Sequence, residues 1–334
     1  MSRRVVNRDM TIAKTLTTAA DTVLDRSVVI GYTKLGSQIR RLWWPADPPP
    51  RAMAGKRVVV TGATAGIGQA MAESFARLGA TVHLLGRNEQ KVRHSAGAIR
   101  GKVSGAVLIE EVCDVSDLDA VRAWTADLSG RIDALHGLVH NAGVMPKERT
   151  ETLQGHEVQL ACHVLGPQVM TEELLPLLRN AHGASVVFMS SGGMYTTPLS
   201  AEDLESRDGE YNGLRVYART KRMQVVLAAD WARRLEGTGI RVESTHPGWV
   251  ETPGVAEALP VFRRLTQPLL RDPADGADTA VWLVATRPDS GGGHFWHDRA
   301  QRPTTFGWQR RDDPAVVATF LDEVSRLILH TQAS

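Results

Sequence analysis

The stretch Thr61-Gly62-Ala63-Thr64-Ala65-Gly66-Ile67-Gly68 lies between a short β-branched run, Arg57–Thr61, and a helical stretch, Gln69–Leu78. Glycine has no Cβ, so the backbone can turn sharply here and approach a ligand closely. The N–H groups at the start of the following helix and the positive end of its dipole suit a pyrophosphate. Because a strand and a helix flank the glycines in the required order, the stretch predicts a dinucleotide-binding loop rather than a purely structural turn.

Strands and helices alternate along the rest of the chain. Short apolar runs predict strands at Thr81–Leu85, Ala106–Val112, Ala134–Val139, Ser185–Met189 and Ile240–Ser244. Helical spacing predicts helices at Glu89–Ile99, Leu118–Leu128, Leu153–Leu178, Leu214–Leu235 and Ala274–Ala285. Such alternation requires crossover connections and hence a parallel sheet. We therefore expect residues 51–334 to form one α/β domain: a Rossmann-type, doubly wound parallel sheet of about seven strands with helices on both faces.

The composition is typical of a globular protein and excludes several functional classes. Of the 334 residues, 43% are hydrophobic and 23% are charged, and the net charge of +2 gives no indication of nucleic-acid binding. No apolar run of about 18 residues predicts a membrane-spanning helix. Cys113 and Cys162 form no C-x-x-C pair, so we expect a reducing compartment and a cytoplasmic location. His294, His297 and Asp298 are too few for a metal site and are expected to be structural.

The first part of the chain differs from the rest in charge. Residues 1–51 contain nine Lys and Arg against four Asp, a net charge of +5 that leaves −3 for the remainder. Within residues 26–44, apolar residues have a rough helical spacing with basic residues between them, and prolines then form a stiff linker. We interpret residues 1–50 as a basic amphipathic extension with a proline-rich linker. The favoured interpretation is that its helix packs on the main domain or on a second subunit, and the alternative is peripheral contact with a membrane.

The end of the second predicted strand indicates which cofactor binds. An acidic residue there would accept a hydrogen bond from the ribose 2′-OH of NAD, but the chain has Gly86-Arg87-Asn88 instead. Guanidinium matches the geometry of a phosphate, so Arg87 is expected to bind the 2′-phosphate of NADP, with Asn88 beside it. A solvent-exposed loop arginine is the alternative. NADP(H) is therefore the expected cofactor, and NAD(H) is less favoured.

Tyr217 is the only one of four tyrosines that is followed four residues later by a lysine, Lys221. On a helix these two positions share a face, and a nearby ammonium lowers the pKa of a phenol from its ordinary value of about 10. Tyr217 is therefore a candidate general acid or base near neutral pH. Ser190 and Ser191 end the fifth predicted strand at the same edge, where a hydroxyl can hold a substrate carbonyl oxygen; the alternative for them is a cap or turn.

Six motifs, taken in order, resemble the short-chain dehydrogenase/reductase family over about residues 55–290. They are Thr61–Gly68, Asp114 after the third strand, Asn141-Ala142-Gly143 after the fourth, Ser190–Ser191 after the fifth, Tyr217-x-x-x-Lys221, and His246-Pro247-Gly248 with Thr252 after the sixth. Within the family, Ser191-Gly192-Gly193-Met194 and His246-Pro247-Gly248-Trp249 are most similar to an orphan branch called dehydrogenase/reductase member twelve.

The resemblance implies roles for these residues. Tyr217 exchanges a proton with the substrate oxygen, Lys221 lowers the pKa of the tyrosine and bonds the nicotinamide ribose, and Ser191 orients the carbonyl. Hydride passes between the nicotinamide and a carbonyl carbon. The glycine-rich loop, the end of the second strand and the resemblance together predict the residues that bind the cofactor. These are Thr61, Gly62, Thr64, Ala65, Gly66, Ile67, Gly68, Arg87, Asn88, Asp114, Val115, Asn141, Ala142, Gly143, Tyr217, Lys221, Pro247, Gly248, Val250 and Thr252.

One position departs from the family pattern. The family usually has an asparagine in the helix after the Asn-Ala-Gly motif, where it supports a water-mediated proton relay to the lysine, and the matching residue here is His163. Imidazole both donates and accepts hydrogen bonds, so His163 either substitutes for the relay as a fourth catalytic residue or blocks it. The resemblance also implies a homo-oligomer, because family members commonly pair the helices that carry His163 and Tyr217.

Two functions from different classes fit these observations. The first is an NADP(H)-dependent oxidoreductase acting on the carbonyl or alcohol carbon of a lipophilic substrate. Its apolar pocket would be lined by Met145, Met194, Trp249 and Val255–Phe262, and the last of these stretches lies where a mobile lid is expected. The second is a nucleotide-binding regulatory protein with little activity, which is favoured by His163 and by the orphan status of the similar branch.

Overall fold

A computed structural model describes residues 17–332 except residues 19, 253–263, 265 and 308. Its centre is an eight-stranded sheet with the strand order β3-β2-β1-β4-β5-β6-β7-β8. Strands β1 to β7 are parallel, and β8 pairs antiparallel with β7 at the edge. The strands are β1 Arg57–Thr61, β2 Thr81–Gly86, β3 Val107–Val112, β4 Gly137–His140, β5 Ser185–Met189, β6 Arg241–Thr245, β7 Phe295–His297 and β8 Ala300–Arg302. The predicted doubly wound, mostly parallel sheet is confirmed.

Helices cover both faces of this sheet. They are α1 20–26, α2 Val28–Gly31, α3 Lys34–Arg40, α4 Gly66–Arg77, α5 Glu89–Lys102, α6 Leu118–Arg131, α7 Val158–Leu160, α8 Gly166–Glu173, α9 Leu175–Asn180, α10 Gly213–Arg234, α11 Pro273–Thr286 and α12 Pro314–Gln332, with a π-helical turn at Ala161–Leu165. Alternate residues of β1 enter opposite cores because side chains of a strand alternate. Val58 and Val60 pack with α4, α5 and α11, whereas Val59 packs with α6, α8, α10 and α12.

Most predicted elements begin and end within a few residues of the observed ones, but the helix predicted over Leu153–Leu178 is wrong. Leu153 is 96% exposed in a turn. The helix begins later because the Glu157 carboxylate caps it, accepting a hydrogen bond from the N–H of Leu160 at 2.7 Å. It is interrupted at Leu174, whose φ of −89° and ψ of 1° are not helical, and α9 follows with a proline in its first turn.

The strand order reverses between β1 and β4, so that helices leave these two neighbouring strands on opposite faces. In open α/β sheets, ligands bind in the crevice outside the carboxyl ends of the strands at such a reversal. The glycine-rich loop follows β1 directly at this crevice. The fold therefore places the predicted cofactor loop at the expected edge of the sheet.

The described part of the N-terminal extension packs on the main domain. Arg40 of α3 is fully buried and donates to Asp298 Oδ2 and to Asp21 Oδ1, both at 2.8 Å. Trp282 of α11 donates from its indole nitrogen to the carbonyl oxygen of Ala46 at 3.1 Å. Residues 20–46 therefore pack on the main domain, as the favoured interpretation of this segment predicts. Within the described residues, no helix is both long and apolar enough to cross a membrane.

Candidate active site

The glycine-rich loop leaves β1 at Thr61 and enters α4 at Gly66, so the helix begins inside the motif and not at Gln69 as predicted. Gly62 has a φ of +66°, and a Cβ at this position would lie 2.8 Å from Cα of Ala142. A residue with a side chain would therefore be strained here and would push the loop away from β4. The first turn of the 12-residue helix α4 directs its N–H groups to the same edge, as a pyrophosphate site requires.

Thr61 and Asn141 connect β1 to β4 at this edge. Thr61 Oγ1 accepts hydrogen bonds from the N–H groups of Asn141 and Ala142, both at 2.9 Å. Asn141 Nδ2 donates to the carbonyl oxygen of Thr61 at 2.9 Å. Asn141 is among the residues expected to bind the cofactor, and its side-chain amide is hydrogen-bonded to the glycine-rich loop. Its contribution to binding is therefore to fix the shape of that loop.

Three further residues that are expected to bind the cofactor, Arg87, Asn88 and Asp114, follow β2 and β3. Arg87 is exposed just beyond β2, and no ion pair to it occurs among the described residues. Asn88 caps α5, since its side-chain oxygen accepts a hydrogen bond from the N–H of Lys91 at 2.9 Å. Asp114 Oδ1 accepts hydrogen bonds from the N–H and the hydroxyl of Ser116, at 2.9 and 2.7 Å. Arg87 is thus available to a ligand, whereas the Asn88 side chain has a structural role that was not predicted.

Tyr217 and Lys221 lie on one face of α10, with Lys221 Nζ 5.4 Å from the centroid of the Tyr217 ring. Lys221 Nζ donates to the carbonyl oxygen of Met189, the last residue of β5, at 2.9 Å and to Gln224 Oε1 at 3.0 Å. Ser191 follows β5 and is hydrogen-bonded to Tyr217. The structure therefore brings the three predicted catalytic side chains together at the carboxyl edge of the sheet.

Burial dominates the electrostatics of this cluster. It raises the pKa of Tyr217 above its ordinary value, while the hydrogen bond with Ser191 acts in the opposite direction. Burial lowers the pKa of Lys221 to about 8. The lowering of the tyrosine pKa that we expected from Lys221 is therefore not the prevailing effect, because the ammonium is hydrogen-bonded to Met189 and Gln224 rather than to the phenol.

His163 lies fully buried in the π-helical turn beside the catalytic pair, and both ring nitrogens have partners. Nε2 accepts from the N–H of Val144 at 3.0 Å, and Nδ1 is 2.8 Å from Oγ1 of Thr220. Burial, followed by the positive charge of Lys221, holds the pKa of His163 well below its ordinary value. Since neither nitrogen is hydrogen-bonded to Lys221, the geometry gives no support to a proton relay through the imidazole of His163.

A segment that sequence reasoning did not connect with the site also reaches it. The carbonyl oxygen of Tyr32, in the N-terminal extension, accepts from the N–H of Trp249 at 2.8 Å and from Arg271 Nε at 3.0 Å. A Cβ on Gly192, next to Ser191, would lie 2.7 Å from the Tyr32 ring. Tyr32 therefore contacts the turn after β5 and the loop after β6, whose residues Pro247 and Gly248 are expected to bind the cofactor.

The predicted apolar pocket is only partly supported. Met194 is fully buried beside Tyr195, with its sulfur 3.3 Å from Arg222 Nη1, so it belongs to the core and not to a pocket wall. Met145 lines a surface cavity of about 270 Å³ together with Leu214 of α10, one turn before Tyr217. The predicted lid, Val255–Phe262, lies outside the described residues.

The chain matches known proteins over most of its length. Residues 56–260 match the family model of the short chain dehydrogenases. Dehydrogenase/reductase SDR family member 12 of Homo sapiens is 36% identical over 73% of this chain and 77% of the human protein. Retinol dehydrogenase 14 of Mus musculus is 32% identical over 75% of this chain and 79% of its own length.

Solved structures are similar to this fold as well. An uncharacterized protein from Mycobacterium Paratuberculosis has a TM-score of 0.67 and 26% identity, covering 86% of this chain and 97% of its own. A protein from Shigella flexneri, assigned to the short chain dehydrogenases and complexed with NADP, has a TM-score of 0.61 and 25% identity over 75% of this chain and 99% of its own.

Proposed function

The chain belongs to the short-chain dehydrogenase family, and we propose that it is an oxidoreductase that transfers hydride between NADP(H) and the carbonyl or alcohol carbon of a lipophilic substrate. One observation supports this most directly. Ser191, Tyr217 and Lys221 form a single cluster at the carboxyl end of β5, on the same edge of the sheet as the glycine-rich loop. The candidate acid–base groups and the loop expected to bind the dinucleotide thus lie at one edge of the sheet, where a substrate that exchanges hydride with the cofactor would bind.

The residues of this edge fit a dinucleotide. The backbone of Gly62 lies so close to Ala142 that a Cβ would clash, and the loop leads directly into the N-terminus of α4, where N–H groups suit a pyrophosphate. Asp114, oriented by Ser116, would accept from the adenine amine, and exposed Arg87 would bind the 2′-phosphate of NADP. When bound, the nicotinamide supplies the hydride chemistry.

The protein's own groups move the proton. Ser191 and Tyr217 would hold the substrate oxygen, and in the direction of reduction Tyr217 would give its proton to that oxygen as the carbon accepts hydride. Because burial raises the pKa of Tyr217, the phenolate that remains needs stabilisation. The buried ammonium of Lys221, 5.4 Å from the centroid of the tyrosine ring, would provide it.

The cofactor assignment is tested by titration calorimetry with NADPH and NADH. We expect the wild-type protein to bind NADPH at least about tenfold more tightly, and Arg87→Asp to reverse the preference, since an acid accepts from the ribose 2′-OH and repels a phosphate. Arg93→Asp is the matched control, because Arg93 is an exposed arginine of α5. Preference for NADH in the wild type would refute the role of Arg87, and binding of neither would refute the whole proposal.

The second candidate is a regulatory protein with little activity. Two observations favour it: burial raises the pKa of Tyr217, and both ring nitrogens of His163 are already hydrogen-bonded within the protein. Tyr217→Phe separates the two. For an enzyme, turnover of a carbonyl library with NADPH falls by about a thousandfold or more while NADPH affinity changes little. No turnover in the wild type, with tight NADPH binding, would favour the regulatory protein.

The lipophilic substrate class rests on Met145 and Leu214, the large apolar side chains of a surface cavity whose other lining residues include the polar Lys147 and Asn212. We propose bulky apolar ketones or alcohols, such as steroid-, retinoid- or fatty-acyl-like compounds. Comparing kcat/KM for matched ketones of increasing chain length tests this, since each buried methylene adds about 0.8 kcal/mol. Better turnover of small polar carbonyls would contradict it.

We also propose a cytoplasmic protein that contacts membranes through residues 26–44. Ile30 of α2, Leu35 of α3 and Leu42 in the turn after α3 are 47, 52 and 82% exposed. Two exposed cations lie among them, Lys34 and Arg41, the second of which is paired with Asp275. Such a surface suits anionic lipid headgroups over an apolar interior.

Co-sedimentation with vesicles tests the membrane contact. Binding is expected to phosphatidylcholine vesicles that contain phosphatidylserine and to be weaker without it. The double variant Leu35→Ser/Leu42→Ser should lose this binding, whereas Leu153→Ser, which removes a still more exposed leucine elsewhere, should keep it. Equal binding by all three proteins would contradict the proposal.

Self-association is the last part of the proposal. The face expected to pair contains the π-helical turn, and α12 packs on it: Phe320 and Val324 are buried in one core with Leu160 and Val164. An oligomer must therefore use surface outside the part that α12 covers. Sedimentation velocity of the purified chain tests this, and a single species at the 36.4 kDa of one chain would refute it.

A further inference from the structure

Gln224 is a fully buried glutamine whose amide joins two parts of the active site. Its Oε1 accepts from Lys221 Nζ at 3.0 Å, and its Nε2 donates to the carbonyl oxygen of His163 at 3.0 Å. Lys221 and Gln224 lie one turn apart on α10, whereas His163 lies in the π-helical turn. One side chain thus connects the lysine ammonium to the backbone of the neighbouring helix without an intervening water.

Pro167 makes this carbonyl available. In an α-helix the carbonyl oxygen of residue 163 would accept from the N–H of residue 167, but proline has no N–H. The chain adopts a π-helical turn at Ala161–Leu165 just before this proline, and π turns within helices frequently occur at functional sites. The donor that an α-helix would supply to the His163 carbonyl is therefore missing, and the Gln224 amide donates to this oxygen instead.

His163, whose carbonyl Gln224 binds, is itself held in place by hydrogen bonds at both ring nitrogens. Its Nε2 accepts from the N–H of Val144, so in the neutral ring the proton is on Nδ1, which donates to Thr220 Oγ1. The Thr220 hydroxyl in turn donates to the carbonyl oxygen of Tyr217. Every hydrogen-bonding group of the imidazole is therefore engaged, and the ring holds the π turn against α10.

Lys221 has no negatively charged partner among the described residues, so the hydrogen bond that its ammonium donates to the neutral Gln224 amide matters more. The titratable groups around its ammonium are Tyr217 on its own helix and Cys162 and His163 on the π turn. Burial raises the pKa of Cys162 to about 12, so its thiol is neutral. No carboxylate forms an ion pair with Lys221 in the described part of the chain, and its two hydrogen-bond acceptors there are the Met189 carbonyl and Gln224.

We propose that Gln224 is a positioning residue for the reaction: its amide links the Lys221 ammonium to the His163 carbonyl. It would thereby support the lysine, as the sequence analysis expected a relay through His163 to do. The proposal rests on the proposed function for its kinetic consequence, but not for its effect on the lysine. With two of its three N–H groups bound to Met189 and Gln224, the ammonium has one left for the nicotinamide ribose. Losing Gln224 would free a second and let the ammonium turn away.

Two variants of opposite chemistry test this. Gln224→Met keeps an unbranched side chain but removes the acceptor, so the charged lysine loses a hydrogen bond and its titration midpoint should fall by about 1 pH unit. Gln224→Glu places a carboxylate beside the ammonium and should raise the midpoint. A residue with only a packing role would not produce shifts of opposite sign.

The midpoint is read without cofactor, from the ε-carbon resonance of Lys221 in 13C-lysine-labelled protein, assigned with Lys221→Arg. Gln168→Met is the matched control: Gln168 is a buried glutamine that also joins two helices, accepting from Trp231 Nε1 at 2.8 Å. It should lose comparable thermal stability and leave the Lys221 midpoint unchanged. Unchanged midpoints in both Gln224 variants would overturn the proposal.

The kinetic readout follows on the same proteins. Gln224→Met should lower kcat about tenfold with KM for the carbonyl within about twofold, and the alkaline limb of its pH profile should move with the measured midpoint. If the wild type shows no turnover, the proposed function fails, while the resonance experiment still decides the role of Gln224. If Gln224→Met does not fold, Gln224→Asn, whose shorter amide cannot reach both partners, should lower the midpoint in the same way.

Discussion

At the scale of single residues, the Lys221 ammonium is the feature that controls the site. Within the described part of the chain, its hydrogen-bond acceptors are two neutral oxygens, those of Met189 and Gln224. Burial lowers its pKa to about 8. A lysine is protonated below its pKa, so the charge that would stabilise the Tyr217 phenolate is present at pH 7 and lost as the pH rises through about 8. The catalytic cluster is therefore sensitive to pH on its alkaline side.

We expect kcat for NADPH-dependent carbonyl reduction to be level near pH 7 and to fall towards tenfold per pH unit above about pH 8. The measurement is a profile of kcat between about pH 6 and pH 10 at saturating cofactor. Lys221→Arg is the control, since guanidinium stays charged throughout this range and its residual activity should lack the limb. A wild-type profile that stays flat to pH 10 would show that the charge of Lys221 is not required.

At the scale of elements, the link from β1 to α4 requires glycine at one identifiable point. Replacing Gly62 by alanine places a Cβ 2.8 Å from Cα of Ala142 at a φ of +66°. We expect Gly62→Ala to reduce stability by more than about 1 kcal/mol and to weaken NADPH binding about tenfold or more, because the loop must move away from β4.

Gly97→Ala is the matched control for this prediction. Gly97 lies in α5 with no atom within 4 Å of an added Cβ, so the substitution should stabilise the helix by about 0.5–1 kcal/mol and leave NADPH affinity unchanged. Thermal unfolding and calorimetry measure both effects. Equal NADPH affinity in the two variants would mean that the loop does not form the pyrophosphate site.

Elements with a strong local signal could be predicted from the sequence, and short or interrupted ones could not. The β-branched run of β1 followed by glycines predicts its loop because both signals are local. Strands β7 and β8 have three residues each, too few for a period of two to be recognised. The π turn could not be predicted from the sequence either, because it depends on how the chain around Pro167 packs against α10.

The candidate site divides in the same way. Tyr217 and Lys221 were found because their spacing of four residues is itself a signal. Gln224 is only three residues further on, but its partner is the carbonyl of His163, 61 residues away, and no side-chain pattern reveals which backbone groups lack a donor. His163 was noticed by its departure from the family, yet its role depends on Val144 and Thr220, which hold its ring nitrogens.

At the scale of the whole molecule, buried charges attach the N-terminal extension to the active-site edge. Asp298 is 3% exposed; it accepts from Arg40 at 2.8 Å and from Arg271 at 2.5 and 2.9 Å. Arg271 also donates to the carbonyl oxygen of Tyr32, which accepts from Trp249 in the loop after β6. The extension and the loop after β6, which is expected to bind the cofactor, thus share one set of hydrogen bonds.

Asp298→Asn tests this connection. It leaves the buried guanidinium of Arg271 without its carboxylate partner and leaves Arg40 paired with Asp21 alone, which should cost about 3 kcal/mol or more of unfolding free energy. Asp289→Asn is the control, because Asp289 pairs with Arg241 at the surface and is fully exposed, so a change within about 0.5 kcal/mol is expected.

If the extension supports the site as well as the fold, Asp298→Asn should also weaken NADPH binding severalfold at a temperature where the protein remains folded, because Arg271 no longer fixes Tyr32 and the loop at Trp249. Calorimetry on the folded variant separates the two effects. A large loss of stability with unchanged NADPH affinity would mean that the extension serves the fold alone. Loss of both would make residues 20–44 part of the active-site structure, although none of them lies within the glycine-rich loop or the catalytic cluster.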